Sequence, residues 1–226
     1  MKIWKRFAAA LLAAGMVLAM LAACSDGGGG TPLSWETSRT KQYFESKGIT
    51  PAEYTFKAKM AYSGTKSDVV YTVKDNQFYV SWPMSGPGEI LRDAQGNYYT
   101  RSQNSADNTW LKYAADSEWA KNYGSLVVAE IGGFVVPTDD NVGSVVSGSY
   151  RMGGKNYSTE TIRIHENNSY QTCIYGYDGN ELSFILVEAT GSAMLTELEL
   201  SKTADTALLT PPTTFINGST GGGSAG

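Results

Sequence analysis

The stretch Tyr54-Thr55-Phe56-Lys57-Ala58-Lys59-Met60-Ala61-Tyr62 alternates strictly, with Tyr54, Phe56, Ala58, Met60 and Tyr62 on one side and Lys57 and Lys59 on the other. A period of two with one apolar and one charged face predicts an antiparallel strand that is wet on one side. Working outward, Val69-Tyr71-Val73 repeats the alternation, Asp75-Asn76 breaks it, and Phe78-Val80-Trp82 resumes it before Pro83 and the Gly86-Pro87-Gly88 break. Glu89–Arg92, the turn Asp93–Gly96, Asn97–Thr100 and Trp110–Tyr113 extend this first run as a meander. A second run reads Asn156–Ile164, Tyr170–Tyr175, Leu182–Val187 and Met194–Leu200, with hairpin residues at Glu166–Ser169, Asp178–Asn180 and Gly191. Two helices interrupt the strands. Ser34–Lys47 carries Trp35, Tyr43 and Phe44 among charges and stops at Gly48, and Ser117–Ile131 follows a period near 3.6 with a break at Gly124. A short turn is expected over Asp205–Leu209, stopped by Pro211-Pro212.

Two short helices cover only part of such a sheet, and a curled sheet covers itself. The fold class expected is therefore α+β: a curved antiparallel sheet, or half-barrel, of about nine to eleven strands. Its N-terminal helix and mid-chain helical segment would cover the concave face. The apolar lining of that face is expected to be Phe56, Met60, Tyr71, Phe78 and Trp82 in the first half and Leu182, Phe184 and Leu186 in the second. The same alternation also describes an ordinary sheet core, so only uncovered apolar area makes these residues a ligand site.

The chain has 226 residues, with 18 Lys and Arg against 22 Asp and Glu. Three of the bases, Lys2, Lys5 and Arg6, open the sequence, and their removal leaves 15 bases against 22 acids. So acidic a surface argues against nucleic-acid binding, which needs clustered Lys and Arg. After the basic opening, Phe7–Ala23 is uncharged, and Leu21-Ala22-Ala23-Cys24 has the form of a lipobox. Residues 1–23 are read as a lipoprotein signal peptide and Cys24 as the lipidated residue. Residues 24–30, with four glycines, form a flexible tether, 31–216 the folded domain, and 217–226 a Gly/Ser tail. The expected location is the extracytoplasmic face of a cell membrane, held by the lipid. Once Cys24 is modified, Cys173 has no partner for a disulfide, and its apolar setting Thr172-Cys173-Ile174-Tyr175 fits a buried structural thiol.

Helix, strands, helix and more strands, in this order, resemble the lipoprotein-carrier superfamily of LolA/LolB-like and LppX/LprG-like proteins. Glu89-Ile-Leu-Arg-Asp93-Ala-Gln-Gly96-Asn-Tyr98-Tyr99 is similar to that family's strand, Asp-Gly turn and aromatic strand, although Ala94-Gln95 lengthens the turn. Asp205-Thr-Ala-Leu-Leu-Thr-Pro211-Pro212 is similar to its closing turn. The resemblance implies a half-barrel and a hydrophobic cargo, and it carries over no functional residue.

Elimination removes most chemistry. His165 is the sole histidine and no G-x-S-x-G elbow surrounds any serine, so a hydrolase triad has no basis. Glu160, Glu188, Glu197 and Glu199 fall on strands and are read as wet-face carboxylates rather than a glycosidase pair. Asp139-Asp140-Asn141 offers oxygens for Ca²⁺ without the spacing of an EF-hand. No catalytic residue, cofactor or metal site is assigned. Two readings remain: a non-enzymatic carrier of a lipid, lipoprotein or other amphiphile, and an envelope-protein interaction or sensor module with a solid core. The second would use wet-face aromatics such as Tyr79, Tyr99 and Tyr113.

Overall fold

The computed structural model of the chain describes residues 30–82, 88–102, 108–124, 135–166, 169–189 and 191–218. The expected signal peptide, Cys24, nearly all of the expected tether, residues 125–131 of the second expected helix and the end of the expected tail lie outside the described residues.

Strand β1 (Thr31–Leu33) is followed by a 3-10 turn at Trp35–Thr37 and helix α1 (Arg39–Ser46). Then come β2 (Glu53–Tyr62), β3 (Thr65–Lys74), β4 (Gln77–Ser81), β5 (Gly88–Arg92), β6 (Tyr98–Ser102) and β7 (Trp110–Tyr113). After a π-helical turn at Ala120–Gly124 the second run follows as β8 (Val142–Met152), β9 (Lys155–Glu166), β10 (Ser169–Asp178), β11 (Glu181–Ala189) and β12 (Gly191–Ser201), and β13 (Phe215–Asn217) ends it. The described strands form one 13-stranded curved open sheet in the order β1-β8-β9-β10-β11-β12-β2-β3-β4-β5-β6-β7-β13. Two meanders are thus joined through the β12–β2 pair, with Leu195 opposite Met60 and Leu200 opposite Phe56.

Thirteen strands replace the nine to eleven expected. The three not foreseen are β1, β8 and β13, and β13 pairs with β7 in parallel, the exception in an otherwise antiparallel sheet. β8 reads Val142-Gly-Ser-Val-Val-Ser-Gly-Ser-Tyr-Arg-Met152, and of its side chains only Val145 is buried, so no alternation betrays it. It forms because Gly153 and Gly154, at φ +58° and +82°, close a two-residue hairpin that places Met152 opposite Lys155. Asn217 and Gly218, expected in the tail, belong to the sheet edge: Asn217 pairs with Lys112, whose carbonyl accepts the Gly218 N–H at 2.8 Å.

The N-terminal helix is shorter than expected. Ser38 breaks it, and its Oγ accepts the Lys41 N–H at 3.1 Å as the N-cap of α1. Apolar side chains of one sheet face, from Phe56, Tyr71, Val80 and Ile90 to Ile162, Cys173, Tyr175 and Leu195, gather into a single core with Phe44 of α1 and Ile49. A smaller cluster on the opposite face joins Tyr79, Leu91 and Tyr99 to Leu209, which the C-terminal segment lays across β4, β5 and β6.

Candidate functional site

Register decides which expected lining residues share a face. Phe56 lies opposite Tyr71, Tyr71 opposite Val80, and Val73 opposite Phe78, so Phe56, Met60, Tyr71, Phe78 and Trp82 all point to the core face. On β11 the expected alternation fails. Tyr177 pairs with Leu182 but Gly176 pairs with Phe184, a bulge that spends one extra residue at Ser183. Leu182 therefore stays with the core while Phe184 and Leu186 turn to the opposite face, and both leave the expected lining. Phe184 instead packs on Tyr150 and Tyr157, with ring centroids 5.4 Å away in each case. It lies directly over Gly176, where a Cβ would come within 2.1 Å of its ring. All eight residues are buried, Leu182 at 7% being the most exposed.

Helix α1 is fastened over the core face by a carboxylate. Glu160 was expected on the wet face, yet it sits opposite Tyr175 on the core side and is 4% exposed. Its Oε1 accepts the Arg39 N–H at 2.8 Å, and its Oε2 accepts the Thr40 N–H at 2.8 Å and the Thr40 hydroxyl at 2.7 Å. These are the otherwise unsatisfied amides of a helix start, where negative charge is favoured. Tyr177, whose hydroxyl pKa is raised by burial, donates to Thr40 Oγ1 at 2.9 Å. The Arg39 guanidinium stacks 4.5 Å over the Tyr177 ring and reaches Ser158 and Asn180. No pattern in the sequence singled out Glu160, because pairing across strands is not readable from one strand.

The expected wet-face tyrosines are also corrected. Tyr79 and Tyr99 are buried under the C-terminal segment, and Tyr113 turns to the core side, stacked 4.5 Å from Trp119. Tyr79 donates to Glu89 Oε1 at 2.6 Å, and Arg101 grips the same carboxylate with Nε at 2.6 Å and Nη2 at 2.8 Å. Burial alone would raise the Glu89 carboxyl, but these bonds outweigh it and hold the carboxyl below its ordinary value. Asp139 accepts from Lys41 at 2.6 Å and from the Trp35 indole at 2.7 Å, so the calcium candidate is spent on fastening α1.

His165 is exposed, its ring 4.9 Å from Tyr170. Glu188, half-buried, has its carboxyl raised by desolvation, and Glu199 borders an open cleft of about 340 Å³ with Thr55, Lys57 and Asp205. A second open cleft, about 270 Å³, runs between Lys59, Lys66, Asp68 and Glu197. Among the described residues, no three His, Cys, Asp or Glu side chains converge on a metal position, and no helix is long and apolar enough to cross a membrane.

No family model matches the chain, and no curated protein matches it significantly. Among solved structures, one of PNGF-II is similar at 11% identity and a TM-score of 0.29, over 73% of this chain and 30% of that one. A DUF1329 family protein from Desulfovibrio piger is similar at 12% identity and a TM-score of 0.24, over 74% of this chain and 92% of that one. The chain spans less than a third of the PNGF-II structure, and at these TM-scores neither likeness defines a function.

Proposed function

We propose that this chain is a lipid-anchored, non-enzymatic half-barrel at the extracytoplasmic face of a membrane, and that it takes the apolar part of an amphiphile against its concave core face. One observation carries the reading: α1, the described α-helix over that face, is small and polar-fastened. Phe44 is the one fully buried apolar side chain of α1, with Ile49 just beyond its end, whereas the Glu160 clasp is built of hydrogen bonds. Burying one such side chain is worth about 2 kcal/mol, far less than the sheet beneath, so α1 can lift as a local unit while the strands stay paired. An acyl chain entering below it exchanges bilayer for core at about 0.8 kcal/mol per CH₂ in each direction, which keeps loading and release close to balance. Cys24 holds the domain at the donor surface: the seven residues to Thr31 span at most about 25 Å when extended.

The second reading, an envelope-protein interaction module, is favoured by the exposures themselves, because Phe56, Val80, Ile90, Ile162, Tyr175 and Leu195 are all at 0%. One experiment separates the two. The full chain is placed on phosphatidylcholine vesicles through its lipid, with the Cys24→Ala chain as the unanchored control, and titrated with a fluorescent fatty acid. Saturable binding that Met60→Glu weakens beyond its effect on melting supports the carrier. Absence of saturable binding transfers the assignment to the interaction module.

A further inference from the structure

Among the described residues, one charged side chain of the core face has no carboxylate to answer it. Arg92 ends β5 at the rim of the sheet, opposite Phe78 on one neighbour and Tyr98 on the other, both members of the core. Its guanidinium carbon lies 5.7 Å from the Tyr98 ring centre. Its Nε is buried and finds no hydrogen-bond partner among the described residues, and none of their ion pairs includes it. The nearest acid in sequence, Asp93, is occupied: its carboxylate accepts from the Gln95 and Asn97 amides, the Asn97 side chain and the Tyr99 hydroxyl. Arg101, on the opposite face of the next strand, makes the contrast, since Glu89 saturates it with a bidentate pair.

A cation turned toward apolar rings without an acid is costly, and a bound anion would remove that cost. The surroundings fit an amphiphile with its head at Arg92. Phe78, Tyr98, Trp119 and Tyr113 form a continuous aromatic run, with Phe78 and Tyr98 centroids 6.0 Å apart, Tyr98 and Trp119 5.7 Å apart, and Tyr113 stacked on Trp119. Gly96 flanks the guanidinium with no side chain; a Cβ there would lie 3.7 Å from Nη2 and 3.3 Å from Ala115 Cβ. We infer that Arg92 is the head-group determinant of the site: the amphiphile carries a carboxylate or phosphate that pairs with the guanidinium while its chain lies along the aromatic run. This rests on the carrier reading above.

The test uses the full chain on phosphatidylcholine vesicles doped with photoactivatable probes of equal chain length: a fatty acid, a phosphatidylglycerol and a fatty alcohol. Cross-linked peptides are mapped by mass spectrometry. Labelling around Tyr98 and Trp119 should favour the anionic probes over the alcohol by about tenfold, the scale of one charge-assisted hydrogen bond. Arg92→Met should erase that preference and Arg92→Lys should keep most of it, both without a fall in melting temperature, since Arg92 holds no hydrogen bond at Nε to lose. Preference for the fatty acid alone assigns the head to a free carboxylate, and preference for phosphatidylglycerol assigns it to a phospholipid. Equal labelling by all three probes, or a preference that survives Arg92→Met, overturns the head-group assignment while leaving the carrier standing. No labelling of the core face by any probe overturns both.

Discussion

Replacing Glu160 with Ala removes the acceptor of three hydrogen bonds and leaves the Arg39 and Thr40 amides and the Thr40 hydroxyl facing the void. Each unmade bond at a buried site costs about 1–3 kcal/mol, and water entering the space recovers part of it, so a net loss of about 3 kcal/mol is expected. If the loss falls on α1 alone, the lifted population grows roughly a hundredfold, since each 1.4 kcal/mol is a factor of ten. Native-state hydrogen exchange reads this residue by residue. The Gln42, Lys47 and Ile49 amides, bonded to Ser38, Tyr43 and Phe44 carbonyls, should lose about two orders of magnitude of protection. The paired strands at Ile162 and Cys173 should keep theirs. Thr40→Val, which leaves both amide bonds in place but removes the bond to Glu160 and the acceptor of the buried Tyr177 hydroxyl, should cost about 2 kcal/mol at the same amides. A parallel loss in α1 and in β9 and β10 would refute the reasoning, because the clasp would then be part of the global core rather than a fastening. So would an unchanged α1.

Two further outcomes test the opposite face. Glu89 has a folded pKa below its ordinary 4.5, so its contribution to stability is complete above 4.5 and is lost as pH falls through the lowered value. The melting temperature should drop on that acid limb and drop less in Glu89→Gln, and identical limbs would show that another carboxylate controls it. Gly176→Ala places a Cβ 2.1 Å from the Phe184 ring and should cost about 1–3 kcal/mol in urea denaturation. Phe184→Leu in the same chain should return part of that cost, and strictly additive losses would count against the contact.

What the sequence made legible is what alternation carries. β2, β3, β4, β9 and β12 fall where apolar residues such as Tyr54 and Phe56, Val69 and Tyr71, Phe78 and Val80, Ile162 and Ile164, and Ala193 and Leu195 repeat every second residue. β8 escaped because its Gly and Ser residues bury almost nothing, and its pairing is imposed by the glycine hairpin and by β9. Its signal was there to find, since Gly153-Gly154 lies between two stretches that could pair. Phe184 and Leu186 were misassigned for a different reason. A single extra residue at Ser183 inverts every later side chain of the strand, and no local feature of Leu182-Ser-Phe-Ile-Leu marks it. Tyr79 and Tyr99 looked wet because what buries them, Leu209 and its neighbours, arrives from more than a hundred residues away. Glu160 looked solvated for the same reason.

These misreadings converge on how the cover is hinged. At its start α1 is gripped twice: by Glu160 from β9 at Arg39 and Thr40 and, at the next residue, by Lys41, which reaches Asp139 beside the Trp35 indole. At its end the fastening is Lys47 to Glu181, with side chains 45% and 68% exposed, a surface pair of the kind that contributes little. The end of α1 should therefore lift first, drawing Phe44 and Ile49 from the core while the start stays pinned. The pinned start follows β1 by a few residues, and β1 is an edge strand of the sheet. A hinge in that position lifts the end of α1 without unpairing a strand. For that reason Glu160, rather than any apolar residue of α1, is the side chain whose loss should convert the cover from a flap into a free segment.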